Sequence, residues 1–273
     1  MAPVSLHWFG KTDRGKIRRN NEDAFLCLQF DQREVHHLGK FGEASVENTD
    51  FAFAVSDGMG GAMAGEFASR ITVDKITRML PRSFKQKATG LEAGYGDVIT
   101  ELFDQIHRAL MYLGAGDAEC FGMGATLSLC WFTPEWMYFG HIGDSRIYYL
   151  SAQDGGIKQL SHDDTHVGWL FRKGDLNERE ARHHPRRNVL QKALGAGHQF
   201  VDPQIGAVGY ERGDMFLLCT DGLTEGLYDS QLRDRLREPD AMEVQKNPAE
   251  RLVEAALERA GRDNTTALVI EVK

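Results

Sequence analysis

The sequence predicts an α+β fold in which antiparallel sheets pack together and carry helices on their outer faces. Two long amphipathic helical stretches lie close together early, shorter helical stretches come late, and most strand-like runs are joined by turns rather than by crossover helices. In chain order, "AFLCLQF" is an apolar run of strand type and "FAFAVSDG" is a second, ending in Asp57. "AMAGEFASRITVDKITRML" has helical spacing through Phe67, Ile71, Met79 and Leu80, and Pro81 is expected to stop it. The clearest helix is "DVITELFDQIHRALMYL", where Ile99, Leu102, Phe103, Ile106, Leu110 and Leu113 form one stripe. "ATLSLCWF" alternates, "TPE" turns it, and "WMYFGHIG", "SRIYYL", "GGIKQL" and "DMFLLCT" follow as strands rich in aromatic and β-branched residues. "PAERLVEAALERA" starts on Pro248 and stops at Gly261 as a helix, and "TTALVIEV" closes the chain as a strand.

Composition sets bounds on function. The 273 residues are 42% hydrophobic, with no Pro- or Ser-rich linker and no internal repeat, which points to one domain. The net charge of −8 disfavours nucleic acid as the main partner, because a phosphate backbone calls for a basic stripe. No apolar stretch is long enough to span a bilayer, and the N-terminal segment lacks the apolar centre of a signal peptide. Cys27, Cys120, Cys130 and Cys219 are widely separated, and three of them fall in strand-like runs, so buried free thiols in a reducing, cytoplasmic setting are expected. His36 and His37 read as a hairpin loop, and Trp131, Trp136, Tyr138 and Phe139 as core. "SLHWFGKT" lacks the first glycine of a phosphate loop, and no GxSxG surrounds Ser145.

The acids carry the functional signal. Glu22 and Asp23 stand just before an apolar run, Asp57 just after one, Asp144 between two, Asp221 at the end of "DMFLLCTDG" and Asp263 at the start of "GRDNTTALVIEV". Any one of them could be an ordinary turn residue. Together, at the ends of core-grade strands, they suggest convergence on one rim. Crowded carboxylates resist ionisation unless a cation joins them, and oxygen-only ligands suit Mg²⁺ or Mn²⁺ rather than zinc. The glycines after Asp57 would let backbone approach such an ion, with the Gly58 carbonyl as a ligand.

The ordered segments "DRGKIRRNNEDAF", "VSDGMGGAMAGEFAS", "GMGATLSL", "GHIGDSRIYYL", "LSHDDTHVGWL", "HHPRRNVLQKALG", "FLLCTDGLTEGL" and "GRDNTTALVI" resemble the metal-dependent serine/threonine protein phosphatases of the protein phosphatase 2C family, in its compact bacterial form. The resemblance implies a four-layer α-β-β-α sandwich of two mainly antiparallel sheets flanked by helix pairs. It implies a single phosphatase domain over residues 1–273, with a variable flap at about 162–192. Two Mn²⁺ or Mg²⁺ ions would lie at one end of the sheets, with a third, weaker position. Asp57 would bridge the pair, Asp221 and Asp263 would complete one ion's shell, and Gly58 and Glu22 would serve the other. Asp23 would hold metal-bound waters, Asp144 with Asp221 would form the third position, and Asn264 would support Asp263 from behind.

A water shared by the two ions would attack phosphorus in line, without a phosphoenzyme. Arg18 matches the family's phosphate-gripping arginine, whose fork suits two phosphate oxygens. Some relatives carry a histidine general acid where this chain has Met59, so the source of the leaving-group proton is open. His162, His166, His183 and His184 read as polar flap surface rather than as ligands. The resemblance also implies phosphorylated protein substrates and a serine/threonine kinase as the opposing partner. The alternative is a catalytically silent phosphoprotein-binding module of the same fold; silent relatives usually lose a metal acid, and here the set is complete.

Overall fold

A computed structural model describes residues 4–31, 33–88, 94–197 and 200–273. One sheet is built from β1 (Ser5–Asp13), β4 (Phe41–Ser45), β9 (Arg146–Leu150), β10 (Ile157–Gln159), β13 (Met215–Cys219) and β14 (Thr265–Val272), in the order β10-β9-β13-β14-β1-β4. The other holds β2 (Asp23–Phe30), β3 (Val35–His37), β5 (Asp50–Met59), β6 (Gly124–Ala125), β7 (Leu127–Phe132), β8 (Trp136–Ile142), β11 (Leu194–Gly195) and β12 (Gln204–Gly209). Its path runs β11-β6-β5-β7-β8-β12, with β2 paired to β5 and β3 to β2. Every pairing is antiparallel.

The two sheets face each other across Trp8, Phe51, Phe53, Phe132, Phe216 and Ile270. Helices α1 (Ala62–Ala88) and α2 (Tyr95–Gly116) cover the second sheet, burying Ile76, Leu80, Ile99 and Phe103 against Leu28, Leu129 and Trp131. The short helices α3 (His166–Lys173) and α4 (Glu178–His183) lie in the stretch between β10 and β11. On the far side, α5 (Asp221–Gly226), α6 (Asp229–Arg237) and α7 (Pro248–Arg259) pack Leu223, Leu232 and Leu252 on Leu217 and Val269. These are the expected four layers. The alternation in "FAFAV" explains the spacing around β5. Phe51, Phe53 and Val55 fill the gap between sheets, and Ala52 and Ala54 on the opposite face let the helices approach closely.

Several local expectations are corrected. Pro81 lies inside α1, which continues to Ala88. The proline's missing N–H costs one bond, to the Thr77 carbonyl, and the burial of Ile76 and Leu80 just before it holds the helix through that point. Phe67 faces outward, and the buried stripe uses Ala64, Ala68, Ile76 and Leu80. His36 and His37 form the exposed second strand of a hairpin, with His37 opposite Leu28. Trp131 and Phe139 are buried, but Trp136 at the start of β8 is exposed. Strands β1, β4 and β12 gave no clear signal, since glycines interrupt each of them. Cys27, Cys130 and Cys219 are buried and free, and Cys120 is half-buried and free.

Candidate active site

Antiparallel pairing gathers the strand-end acids at one edge. Asp23 and Asp57 are direct partners across β2 and β5, and the Gly58 N–H donates to the Glu22 carbonyl at 3.1 Å. In the other sheet β13 and β14 are neighbours, so Asp221, which opens α5 after β13, comes beside Asp263, which precedes β14. Gly222 makes that approach possible: a Cβ there would stand 2.0 Å from the Asn264 carbonyl oxygen. At Gly58 a Cβ would lie 1.9 Å from the Gly65 carbonyl oxygen. Only glycine lets the end of β5 run against the first turns of α1, with the Glu22 carboxylate beside them.

Around these acids lies a set of supports that sequence reasoning largely missed. Thr220 and Thr266 both donate to Oδ2 of Asp23, at 2.8 and 2.7 Å. The Asp57 N–H donates to Thr126 Oγ1 at 3.0 Å, and Thr126 pairs in turn with Ser145. Asn264, expected to support Asp263 from behind, ties together the neighbouring loop: its Oδ1 accepts the Glu22 N–H, and its Nδ2 donates to the Arg14 and Asn20 carbonyls. The loop bearing Asp144 is held by Asp164, whose Oδ2 accepts the Gly143 N–H at 3.0 Å. Beside it His141 is buried among Ser128, Gly143 and His162, and burial lowers its pKa to about 4. The Thr residues flanking Asp221 and following Asp263 were the only available signal, and hydroxyls next to acids are common enough in turns to be ambiguous.

Burial and mutual repulsion act together on these acids. Burial, with the charges of Asp23, Asp221, Asp144 and Asp263, pushes the Asp57 carboxyl well above its ordinary range. Asp221 is likewise raised, by burial first and then by Asp144 and Asp263. Burial lifts Asp23 to about 7 despite the two threonine hydroxyls, and lifts Asp144 to about 7 with help from Asp163. Glu22 is also raised, by burial. Oδ1 of Asp23 and Oδ1 of Asp221 are buried without any hydrogen-bond partner. Orphaned anionic oxygens in a cup of like charges fit a divalent cation, and the donor set is wholly oxygen, which suits Mg²⁺ or Mn²⁺.

Two observations differ from the simplest picture. Among the described residues, no three His, Cys, Asp or Glu side chains are drawn in closely enough to close a metal shell as they stand. Arg18, expected to be free for phosphate, donates to Oδ2 of Asp263 at 2.7 Å, a contact that raises its own pKa further. The flap-region histidines do not gather: His166 stacks on Trp169, and His183 bonds the Arg179 carbonyl. Beside Asp144 and Asp221 opens a cavity of about 680 Å³, walled on one side by α3 and α4.

A two-sheet sandwich with an anionic cup at the strand ends defines a class, the metal-dependent hydrolases that place divalent ions between carboxylates. The family model for protein phosphatase 2C matches residues 40–260, and the chain belongs to that family. It is similar to the serine/threonine protein phosphatase PstP of Mycobacterium tuberculosis, 32% identical over 100% of this chain and 46% of that protein. The chain thus spans about half the length of that relative. It is 30% identical to the serine/threonine phosphatase stp of Listeria welshimeri, covering 97% of this chain and 96% of the relative. The crystal structure of the PstP catalytic domain in complex with two manganese ions superposes with a TM-score of 0.74 at 28% identity, covering 98% of this chain and 99% of that one.

Proposed function

We propose that this protein hydrolyses phosphoserine and phosphothreonine esters in proteins, using two Mn²⁺ or Mg²⁺ ions held by Asp57, Asp221, Asp263, Glu22 and the Gly58 carbonyl. The observation that carries the reading is the buried acid cup, with its orphaned Asp23 and Asp221 oxygens, beside an arginine at the rim. When bound, such ions lower the pKa of a water between them to near neutrality and so supply a nucleophile without a side-chain base.

The chain's own groups do the rest. Asp57, near the end of β5, is the group assigned to bridge, because Asp23, Asp221, Asp144 and Asp263 all act on it. Asp23, locked by Thr220 and Thr266, keeps its free oxygen for ordered water. Asp144 and Asp221 form the further, weaker cation position. Arg18 uses one of its N–H donors on Asp263, which leaves the rest of its planar fork for phosphate oxygens. Met59 cannot give a proton, so the proton for the leaving oxygen comes from water or from another group of the cleft. Residues of about 162–192, with α3 and α4, act as a flap beside the opening of a single domain.

Among the described residues no helix is long and apolar enough to cross a membrane. The buried free thiols are in keeping with a reducing, cytoplasmic setting, and the family resemblance is the ground for a serine/threonine kinase as the opposing enzyme. The test is release of phosphate from a phosphothreonine peptide with added Mn²⁺. Wild-type protein is expected to turn over, and an Asp57→Asn variant to stay folded and inactive. A folded wild type that binds no Mn²⁺ tightly and releases nothing would instead favour the silent phosphoprotein-binding module.

A further inference from the structure

We propose that one wall of the cleft, built from the β1–β2 loop and the α7–β14 loop, docks acidic side chains that flank the phosphorylated residue of a protein substrate. The proposal rests on the phosphatase reading above and adds to it a sequence preference. Arginines line the cavity beside Asp144 and Asp221 on both sides, but they are not equivalent. On the flap side they are already engaged. Arg146 forks onto Asp163, Arg172 donates to the Asp163 carbonyl, Arg187 pairs with Glu225, and Arg182 pairs with Glu178 and donates to the Leu227 carbonyl. On the opposite wall Arg259 and Arg262 are exposed, and neither forms an ion pair among the described residues.

The β1–β2 loop extends this free charge to the phosphate end of the cleft. The Lys16 N–H donates to the Gly261 carbonyl at 2.8 Å, and the Lys16 side chain lies against Gly261. The Arg14 carbonyl is tied to Asn264, which fixes the loop over the site. Arg14, Lys16 and Arg19 are exposed, have no acidic partner among the described residues, and flank Arg18. In a chain of net charge −8, these two loops thus place unneutralised positive charge next to the expected phosphate position. An extended peptide advances about 3.3 Å per residue, so acids a few positions from the phosphoresidue fall within a Debye length of these groups. A basic flank meets repulsion from these groups.

The experiment uses the full chain with Mn²⁺, three phosphothreonine peptides that differ only in having acidic, neutral or basic flanks, and p-nitrophenyl phosphate. At low salt, kcat/KM is expected to favour the acidic over the basic flank by roughly tenfold, the combined effect of a few exposed charge pairs, and the gap should close at high salt. Lys16→Glu/Arg262→Glu should reverse the order, and Lys16→Gln/Arg262→Gln should flatten it. In both variants turnover of the small ester stays at the wild-type level, which also reports an intact site. Equal rates on all three peptides, or a preference the variants do not alter, would overturn the proposal. So would binding of the wild type to phosphatidylserine vesicles, lost in the variants, without any peptide preference. If neither the ester nor any peptide is hydrolysed, it is the phosphatase reading that fails.

Discussion

Replacing Asp23 by asparagine should make the metal-free protein more stable and the metal-loaded protein gain less from its ions. Asp23 is buried and its pKa is raised from 3.8 to about 7, with burial the chief cause. The folded state therefore holds this proton to higher pH than the unfolded chain does. Stability from this group is intact below about pH 4 and declines as pH rises from 3.8 towards 7. A shift of about three units is worth about 4 kcal/mol once the group is fully ionised. Removing the charge recovers this cost and relieves the neighbouring acids, while a buried asparagine N–H₂ in the place of the unpartnered oxygen takes back part of it, which leaves roughly 2 kcal/mol.

Asparagine keeps a carbonyl oxygen for the Thr220 and Thr266 hydroxyls and places an N–H₂ where Oδ1 has no partner. For a chain of this size roughly 2 kcal/mol corresponds to a rise of about 4–8 °C in Tm. The assay is thermal unfolding of chelator-treated wild type and Asp23→Asn from pH 4 to pH 8, each repeated with Mn²⁺. The two should coincide near pH 4 and separate as pH climbs, and Mn²⁺ should raise wild type more than the variant. A variant equal to or below wild type at pH 8 without metal would refute the account of a strained acid cup.

The remaining predictions concern single groups. Arg18→Lys should lower kcat/KM for phosphopeptides by about 10–100-fold, since a point charge replaces the planar fork, with protein stability little changed. Steady-state kinetics beside a melting curve check this. Asn264→Ala leaves the Glu22 N–H and the Arg14 and Asn20 carbonyls without their partner and should destabilise the fold by about 2–4 kcal/mol, measured by urea unfolding.

Much of this molecule was legible without coordinates. The helix of Ile99, Phe103 and Ile106, the strands around Phe53 and Leu129, and the layered α+β class follow from periodicities that burial enforces, whereas the four-layer order came from the family resemblance. The acids were legible for a different reason: each stands at the end of a strand-quality run, where one alone would pass as a turn residue but several together point to a shared rim. What periodicity could not show were the contacts between segments remote in sequence. No local pattern indicates that Thr220 and Thr266 reach Asp23, or that Asn264 closes on Glu22. Pro81 misled because an isolated-helix rule was applied to a helix held by its packing.

By itself, then, the sequence determined which segments bury apolar surface, in which period, and where charge is placed against that pattern. Those are properties of single segments and of the cost of leaving each one in water. Only the tertiary structure decided that Asp23 faces Asp57, that Asp221 meets Asp263, and that Arg18 is drawn to Asp263. It also decided that Arg146, Arg182 and Arg187 meet carboxylates on the flap side of the cavity while Arg259 and Arg262 do not. Each of these depends on distances between segments, and electrostatic energy depends on distance and surroundings, neither of which is written along the chain.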